Sequence, residues 1–252
     1  MKPTRFILLL TMVFIIQDCN YEKPHFTIYT IGDSTMADKR QEVYPETGWC
    51  QILGEYFDQG VIVSNHAVNG RSSKSFIDEN RWQIVLDSLK AGDYVFIQFG
   101  HNDEKEYDST RYTTPFGTYR QNLERFVNET RGRGATPVLF TPIVRRKFGD
   151  NGLLTDTHGD YPRSVREVAD NMDVPLIDLQ KLTEEWVNTL GEEASREYYL
   201  WTLPDDRYPD GRKDDTHLSL KGANQVAMLA LKECTRLKLP FSERIITEKV
   251  TF

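Results

Sequence analysis

The chain has little cysteine: Cys19, Cys50 and Cys234 are the three in 252 residues. Three thiols cannot build the multi-bridge framework of a small secreted domain, so stability has to come from a packed core. Cys50 and Cys234 sit among apolar neighbours on stretches that read as helix, and are expected as buried free thiols. A Cys50–Cys234 pair stays open. Positive charge is also short, with 31 Lys and Arg against 38 Asp and Glu and a net of −7. A nucleic-acid protein would usually carry a basic excess, so no such partner is expected. No G-x-x-x-x-G-K-[ST] run occurs, which leaves nucleotide binding without support. There is no internal repeat and no low-complexity linker, and the chain is long enough to bury one sizeable core.

Long apolar runs are absent with one exception. Phe6–Ile16 follows Lys2 and Arg5 and ends at the polar Gln17 and Asp18. It is short for a membrane span and has the layout of an export signal. No small-residue cleavage site follows; Cys19 instead stands where a bacterial lipoprotein carries its lipidated cysteine. Residues 1–19 are therefore read as a secretory or lipoprotein signal, 25–240 as a single domain and 241–252 as a C-terminal tail. The expected location is exported: periplasmic, extracellular or lipid-anchored through Cys19. An uncleaved anchor is the alternative.

What is present is alternation. Runs of β-formers at 26–31, 61–65, 94–99, 137–141 and 174–177 are separated by stretches with helical spacing. Examples of the second kind are Trp49, Ile52, Leu53 and Tyr56; Trp82, Val85, Leu86 and Leu89; and the closing run from Leu220 to Cys234. Short buried-type strands between helices predict crossover units and a parallel sheet of about five strands, covered on both faces. The stretch 192–215 reads as a long irregular loop, and loops of that length in a compact domain are usually functional.

Polar clusters then fall in one kind of place. Ser34 follows the first strand at a glycine break (GDST), Asn69–Ser73 (NGRSS) follows the second, and Gly100–Asp103 (GHND) follows the third. Asp214–His217 (DDTH) precedes the last helix. Strand carboxyl ends are where open α/β sheets bind ligands. Ester hydrolysis needs this inventory. A serine hydroxyl needs a base, and histidine is the side chain suited to the task. Asp214, three residues before His217, can accept from its ring and fix the tautomer. Backbone N–H groups at Ser34 and Gly70 and the Asn102 amide suit a developing oxyanion.

With these four blocks in this order, the chain resembles the SGNH, or GDSL-like, hydrolases over about 26–237. The resemblance implies a three-layer α/β/α, flavodoxin-like fold and no cofactor or metal. It makes Ser34 the nucleophile, Asp214 and His217 its partners, and Ser34, Gly70 and Asn102 the oxyanion hole. Thr35 in place of the leucine of GDSL, together with GRSSKSF and QFGHND, is similar to the rhamnogalacturonan acetylesterase branch. An exported esterase that deacetylates a polysaccharide is thus expected, most simply pectic rhamnogalacturonan. The alternatives are an acetyl xylan esterase, thioesterase or lysophospholipase on the same scaffold, since fold does not fix the ester, or a non-catalytic surface glycan binder. Intact Ser34, Asp214 and His217 argue against the binder.

Other polar residues have plainer readings. His101 orders its loop or touches substrate, with His217 the preferred base. Asp215 is the alternative to Asp214, and Asp33 is read as a turn residue. Asp156, His158 and Asp160 read as a hydrated loop, not as metal ligands. Arg71, Lys74, Arg81 and Arg145–Lys147 could form a basic rim for an anionic polymer, with Arg71, Arg81, His101 and Arg145 as candidate substrate contacts. The competing reading is that these cations only balance nearby acids.

Overall fold

The computed structural model describes residues 25–250, so the signal read over 1–19, with Cys19, lies outside the described residues. Five strands form one sheet: β1 (Phe26–Gly32), β2 (Val61–Asn65), β3 (Tyr94–Gln98), β4 (Thr136–Phe140) and β5 (Leu176–Ile177). Their order is β2-β1-β3-β4-β5 and every neighbouring pair is parallel. The chain leaves β1 for one side of the sheet and later crosses to β3 on the other. That reversal opens a crevice at the carboxyl ends of β1 and β3.

Side chains alternate across the sheet and feed two cores. Ile28, Phe96 and Val138 face one layer, where they meet α5 (Leu179–Ser195) and α6 (Leu220–Arg236) through Val187, Val226 and Ala230. Ile31, Val95, Ile97 and Leu139 face the other. There they meet α1 (Ser73–Asp78), α2 (Arg81–Ser88), α3 (Arg120–Gly132) and α4 (Tyr161–Asn171). Period two in the strands and period three to four in the helices fill both layers. This is the three-layer α/β/α arrangement expected from the alternation.

Three expectations change. The stripe at 49–56 does not make an α-helix: Cys50 lies in a turn, and only a short 3₁₀ segment, Leu53–Tyr56, follows. Cys50 and Cys234 are both buried free thiols. The stretch 192–215 is irregular only over 203–211. It completes α5, which kinks at Gly191, and then forms an antiparallel pair, β6 (Tyr199–Thr202) and β7 (Arg212–Leu218). Segment 241–250, read as a tail, packs on the domain. Phe241 is buried and its ring lies 4.9 Å from Tyr94 and 5.3 Å from Phe96.

Candidate active site

The turn after β1 is built for a close approach. A Cβ on Gly32 would lie 2.5 Å from the Gln98 carbonyl oxygen, a backbone atom that cannot swing away. Glycine therefore lets β1 run tight against β3 before the chain turns. Asp33 is buried, and one carboxylate oxygen accepts from both the N–H and the hydroxyl of Thr35 at 2.9 Å. Gln98 donates to the Thr35 hydroxyl at 2.7 Å and accepts from the Trp49 indole at 3.1 Å. Thr35 is thus tied into a buried polar chain, where a leucine would leave Gln98 without its acceptor. The turn holds Ser34 at the mouth of the crevice.

His217 arrives from the other side, near the end of β7. Leu218 accepts from the Thr47 N–H at 3.0 Å, and Ser219 caps α6 through the Gly222 N–H at 3.2 Å. These bonds fix the strand end on which the imidazole stands. Its Nε2 lies 3.0 Å from Ser34 Oγ and its Nδ1 2.8 Å from Asp214 Oδ2. A carboxylate only accepts, so Nδ1 carries the proton and Nε2 presents its lone pair to the serine hydroxyl. Asp214 Oδ1 accepts the N–H groups of Thr216 and His217 at 2.9 and 3.0 Å. Burial alone would push the Asp214 carboxyl up, but the His217 ring and these two N–H groups outweigh it and hold the acid well below the usual carboxylate range. Asp214 is the ionised partner.

Asp215 does other work. Its Oδ1 accepts from Arg146 at 2.7 Å and from the Trp201 indole at 2.8 Å. Its backbone carbonyl accepts the Arg146 N–H at 2.8 Å. It fastens the β6–β7 pair to the loop after β4 and points away from the imidazole.

Donors for an oxyanion face the same cleft, a hollow of about 470 Å³ lined by Ser34, Gly70, Asn102 and His217 among others. Among the described residues no acceptor takes up the N–H of Ser34 or Gly70. Gly70 has φ +75°, a conformation that a side chain would strain. Asn102 spends one Nδ2 hydrogen on the Arg71 carbonyl at 3.1 Å, and its second is available to the cleft. Ser34, His217, Asp214 and three hydrogen-bond donors are brought to one place from the ends of β1, β2 and β3 and from β7.

The candidate substrate contacts divide. His101 and Arg145 border the cleft. Arg71 lines a neighbouring hollow of about 640 Å³ that meets the cleft at Gly70. Arg81 lines neither; it pairs with Glu79 at 2.6 Å, and Arg71 binds the same carboxylate at 3.0 Å. Arg145 is held by Glu104. The basic rim expected from sequence is thus largely neutralised, with Arg71 and Arg81 sharing the Glu79 carboxylate and Arg145 paired with Glu104.

His101 sits beneath the cleft, 2 % exposed. Its Nδ1 lies 3.3 Å from Asp33 Oδ2 without hydrogen-bond alignment, and its ring meets the edge of His158 at 4.6 Å. His158 in turn places Nδ1 2.9 Å from a Glu104 carboxylate oxygen and Nε2 2.8 Å from the Ile143 carbonyl oxygen. The reading of 156–160 as a hydrated loop therefore fails at His158, which is 2 % exposed and belongs to this polar layer. Burial is the largest influence on His101 and pulls it down to about 4, with Asp33 opposing. A histidine neutral in the fold and ionisable when unfolded costs stability as pH falls from about 6.5 towards 4. Thermal unfolding temperature should drop through that window, and His101→Gln should show a shallower slope there. Equal slopes in the two proteins would mean that other groups carry the acid sensitivity.

Sequence spacing gave no hint of Glu104, Lys105 or His158 beside the site. Glu104 and Lys105 sit in a charged run, EKEYD, that reads as solvated surface. Lys105 also borders the cleft, and its Nζ donates to Asn102 Oδ1 at 2.9 Å. Among the described residues no group of three or more His, Cys, Asp and Glu is placed to hold a metal ion. Among them, too, no helix is long and apolar enough to cross a membrane.

Comparison with known proteins places this geometry. The model of the GDSL-like lipase/acylhydrolase family matches residues 30–224. Rhamnogalacturonan acetylesterase RhgT of Bacillus subtilis is 38% identical over 229 residues, covering 90% of this chain and 97% of that one. A rhamnogalacturonan acetylesterase of Emericella nidulans is 48% identical over 230 residues, covering 82% of this chain and 83% of that one. The crystal structure of protein YxiM from Bacillus subtilis superposes with a TM-score of 0.72 at 26% identity, covering 85% of this chain and 57% of that one. An acetylxylan esterase from Geobacillus stearothermophilus shares the fold, with a TM-score of 0.61 at 21% identity over 83% of this chain and 94% of that one. A family match from β1 into α6, spanning all four polar blocks, leads to one conclusion: the chain belongs to the GDSL-like lipase/acylhydrolase family.

Proposed function

We propose that the protein is an exported serine esterase that removes acetyl groups from a polysaccharide, with pectic rhamnogalacturonan as its substrate. The observation that carries the chemistry is the contact of Ser34 Oγ with His217 Nε2 at 3.0 Å in an open cleft. Ser34 Oγ bonds to the acetyl carbonyl carbon while His217 takes the hydroxyl proton. The tetrahedral oxyanion is met by the N–H groups of Ser34 and Gly70 and by the Asn102 amide. Collapse breaks the bond to the sugar oxygen, which receives the proton from His217. Water, activated by the same imidazole, then releases acetate and restores the serine.

The cleft supports a small acyl group. None of its lining residues is aliphatic, and Glu46, Asn69, Lys105, Arg145 and Thr216 give it hydroxyl-binding groups. A long acyl chain would find no aliphatic side chain to pack against there. The hollow beyond Gly70, with Arg71, Lys74, Asp78, Glu79, Asp108 and Arg111, gives a polymer room to continue. The two relatives named above as rhamnogalacturonan acetylesterases support the choice of polymer. Export is supported by the run Phe6–Ile16, and the N-terminal sequence of the mature protein tests it.

Acetate release across acetylated rhamnogalacturonan, acetylated xylan and small neutral acetate esters tests the substrate. The rhamnogalacturonan should give the highest kcat/KM; a preference for xylan would displace it. Salt adds a second reading. Because Arg71, Arg81 and Arg145 are each paired with a carboxylate, kcat/KM on the polymer should change less than about twofold between 50 and 500 mM salt, over which the Debye length shrinks about threefold. A steep fall on the polymer alone would show that unpaired charge at the rim attracts the uronate.

A further inference from the structure

We propose that Lys105 is a positioning residue for the oxyanion amide: from the acceptor end of Asn102 it fixes which way the amide faces and strengthens its donor end. The proposal rests on the esterase reading above and adds a residue to it.

An asparagine amide has two ends of nearly the same shape, and only the NH₂ end can serve an oxyanion. Here both ends are specified. Lys105 Nζ donates to Oδ1 at 2.9 Å and Arg111 Nη1 to the same oxygen at 3.4 Å. Nδ2 donates to the Arg71 carbonyl at 3.1 Å. A flipped amide would turn its NH₂ group onto an ammonium and a guanidinium, and its carbonyl onto another carbonyl. Both contacts would repel, so the flip is excluded.

The two cations are not equivalent. Arg111 is tied to Asp108 through Nε at 2.5 Å and meets the amide at the longer distance. The Lys105 ammonium is held by the neutral amide oxygen, on the border of the cleft. A hydrogen bond from an ion is roughly twice as strong as a neutral one. Drawing electrons toward Oδ1 makes the Nδ2 hydrogens better donors, and the remaining positive charge lies on the side of the amide remote from the oxyanion. That interaction grows as negative charge develops, so it acts on the transition state more than on bound ester.

The surroundings fit a partly desolvated cation. Burial, then Arg111 and Arg145, pull Lys105 below the usual lysine range, while Asp33 and Glu104 oppose. Lysine can therefore lose its charge at alkaline pH, whereas an arginine in its place would not.

The test is a double-mutant cycle on a small neutral acetate ester, which removes any role of Lys105 in binding a polymer. Lys105→Met should lower kcat about tenfold, the loss expected for one charged hydrogen bond, with KM within about twofold. Lys105→Arg should recover most of kcat and carry the alkaline end of the kcat profile to higher pH. Asn102→Ala should lower kcat by roughly 10²–10³, and adding Lys105→Met to it should cost less than about twofold more. The same tenfold loss in both backgrounds would overturn the proposal, since a general structural defect or a direct role would persist without the amide. An unchanged kcat in Lys105→Met would also overturn it. If Asn102→Ala itself keeps full kcat, the oxyanion reading fails first and the role assigned to Lys105 goes with it.

Discussion

Purified Ser34→Ala should release acetate at least about 10³-fold more slowly than the parent protein, with an unchanged unfolding temperature. The change deletes one hydroxyl, and its partner is His217 Nε2 at 3.0 Å. The turn that carries Ser34 is held by Asp33 and Thr35, not by the serine side chain. The fold therefore has little reason to notice the loss, while the reaction loses its nucleophile. Residual activity should come from the oxyanion donors and from binding alone. Acetate release at the parental rate would remove Ser34 from the mechanism.

The second large effect separates two adjacent acids. Asp214→Asn should lower kcat by about 10⁴-fold. Asp214 Oδ1 accepts two backbone N–H groups and Oδ2 accepts the imidazole. An asparagine keeps an acceptor at only one of these positions. With its oxygen on the backbone, its NH₂ faces Nδ1 and favours the tautomer with the proton on Nε2, which cannot receive the serine proton. Asp215→Asn should behave differently. It weakens the anchor to Arg146 and Trp201, so stability should fall by about 1–3 kcal/mol with kcat within about tenfold. Measuring kcat and unfolding temperature for both variants decides it. A crippled Asp215→Asn beside a competent Asp214→Asn would move the base's partner by one residue.

Local pattern carried most of the fold. The five β runs match the five strands to within two residues at each end, because β-branched and aromatic clusters bounded by glycine and polar turns leave few alternatives. Most of the site was legible for the same reason, since the blocks at Ser34, Asn69–Ser73 and Gly100–Asp103 follow the ends of β1, β2 and β3, whereas Asp214–His217 lies within β7 just before α6. Two kinds of feature stayed hidden. Stretch 192–215 carries Asp, Arg, Pro and Tyr in place of an apolar alternation, and its pairing as β6 and β7 depends on contacts such as Arg146 with Asp215, 69 residues apart. Propensity cannot see such a partner. The polar layer under the cleft is hidden likewise. His158 meets Glu104 across 54 residues, and a histidine in a run of aspartates and threonines looks solvated until the tertiary fold buries it. The same holds for Arg71, Arg81 and Arg145, which read as a rim only while Glu79 and Glu104 are unplaced.

The central claim is that Ser34 is the nucleophile through which this chain hydrolyses acetyl esters. Stoichiometric labelling with a fluorophosphonate, located by peptide mass and followed against acetate release from acetylated rhamnogalacturonan, tests it most directly. The account predicts one adduct per chain, on the peptide that holds Ser34, with acetate release falling in proportion to the labelled fraction. An adduct at another residue, or full acetate release from fully labelled protein, would contradict it.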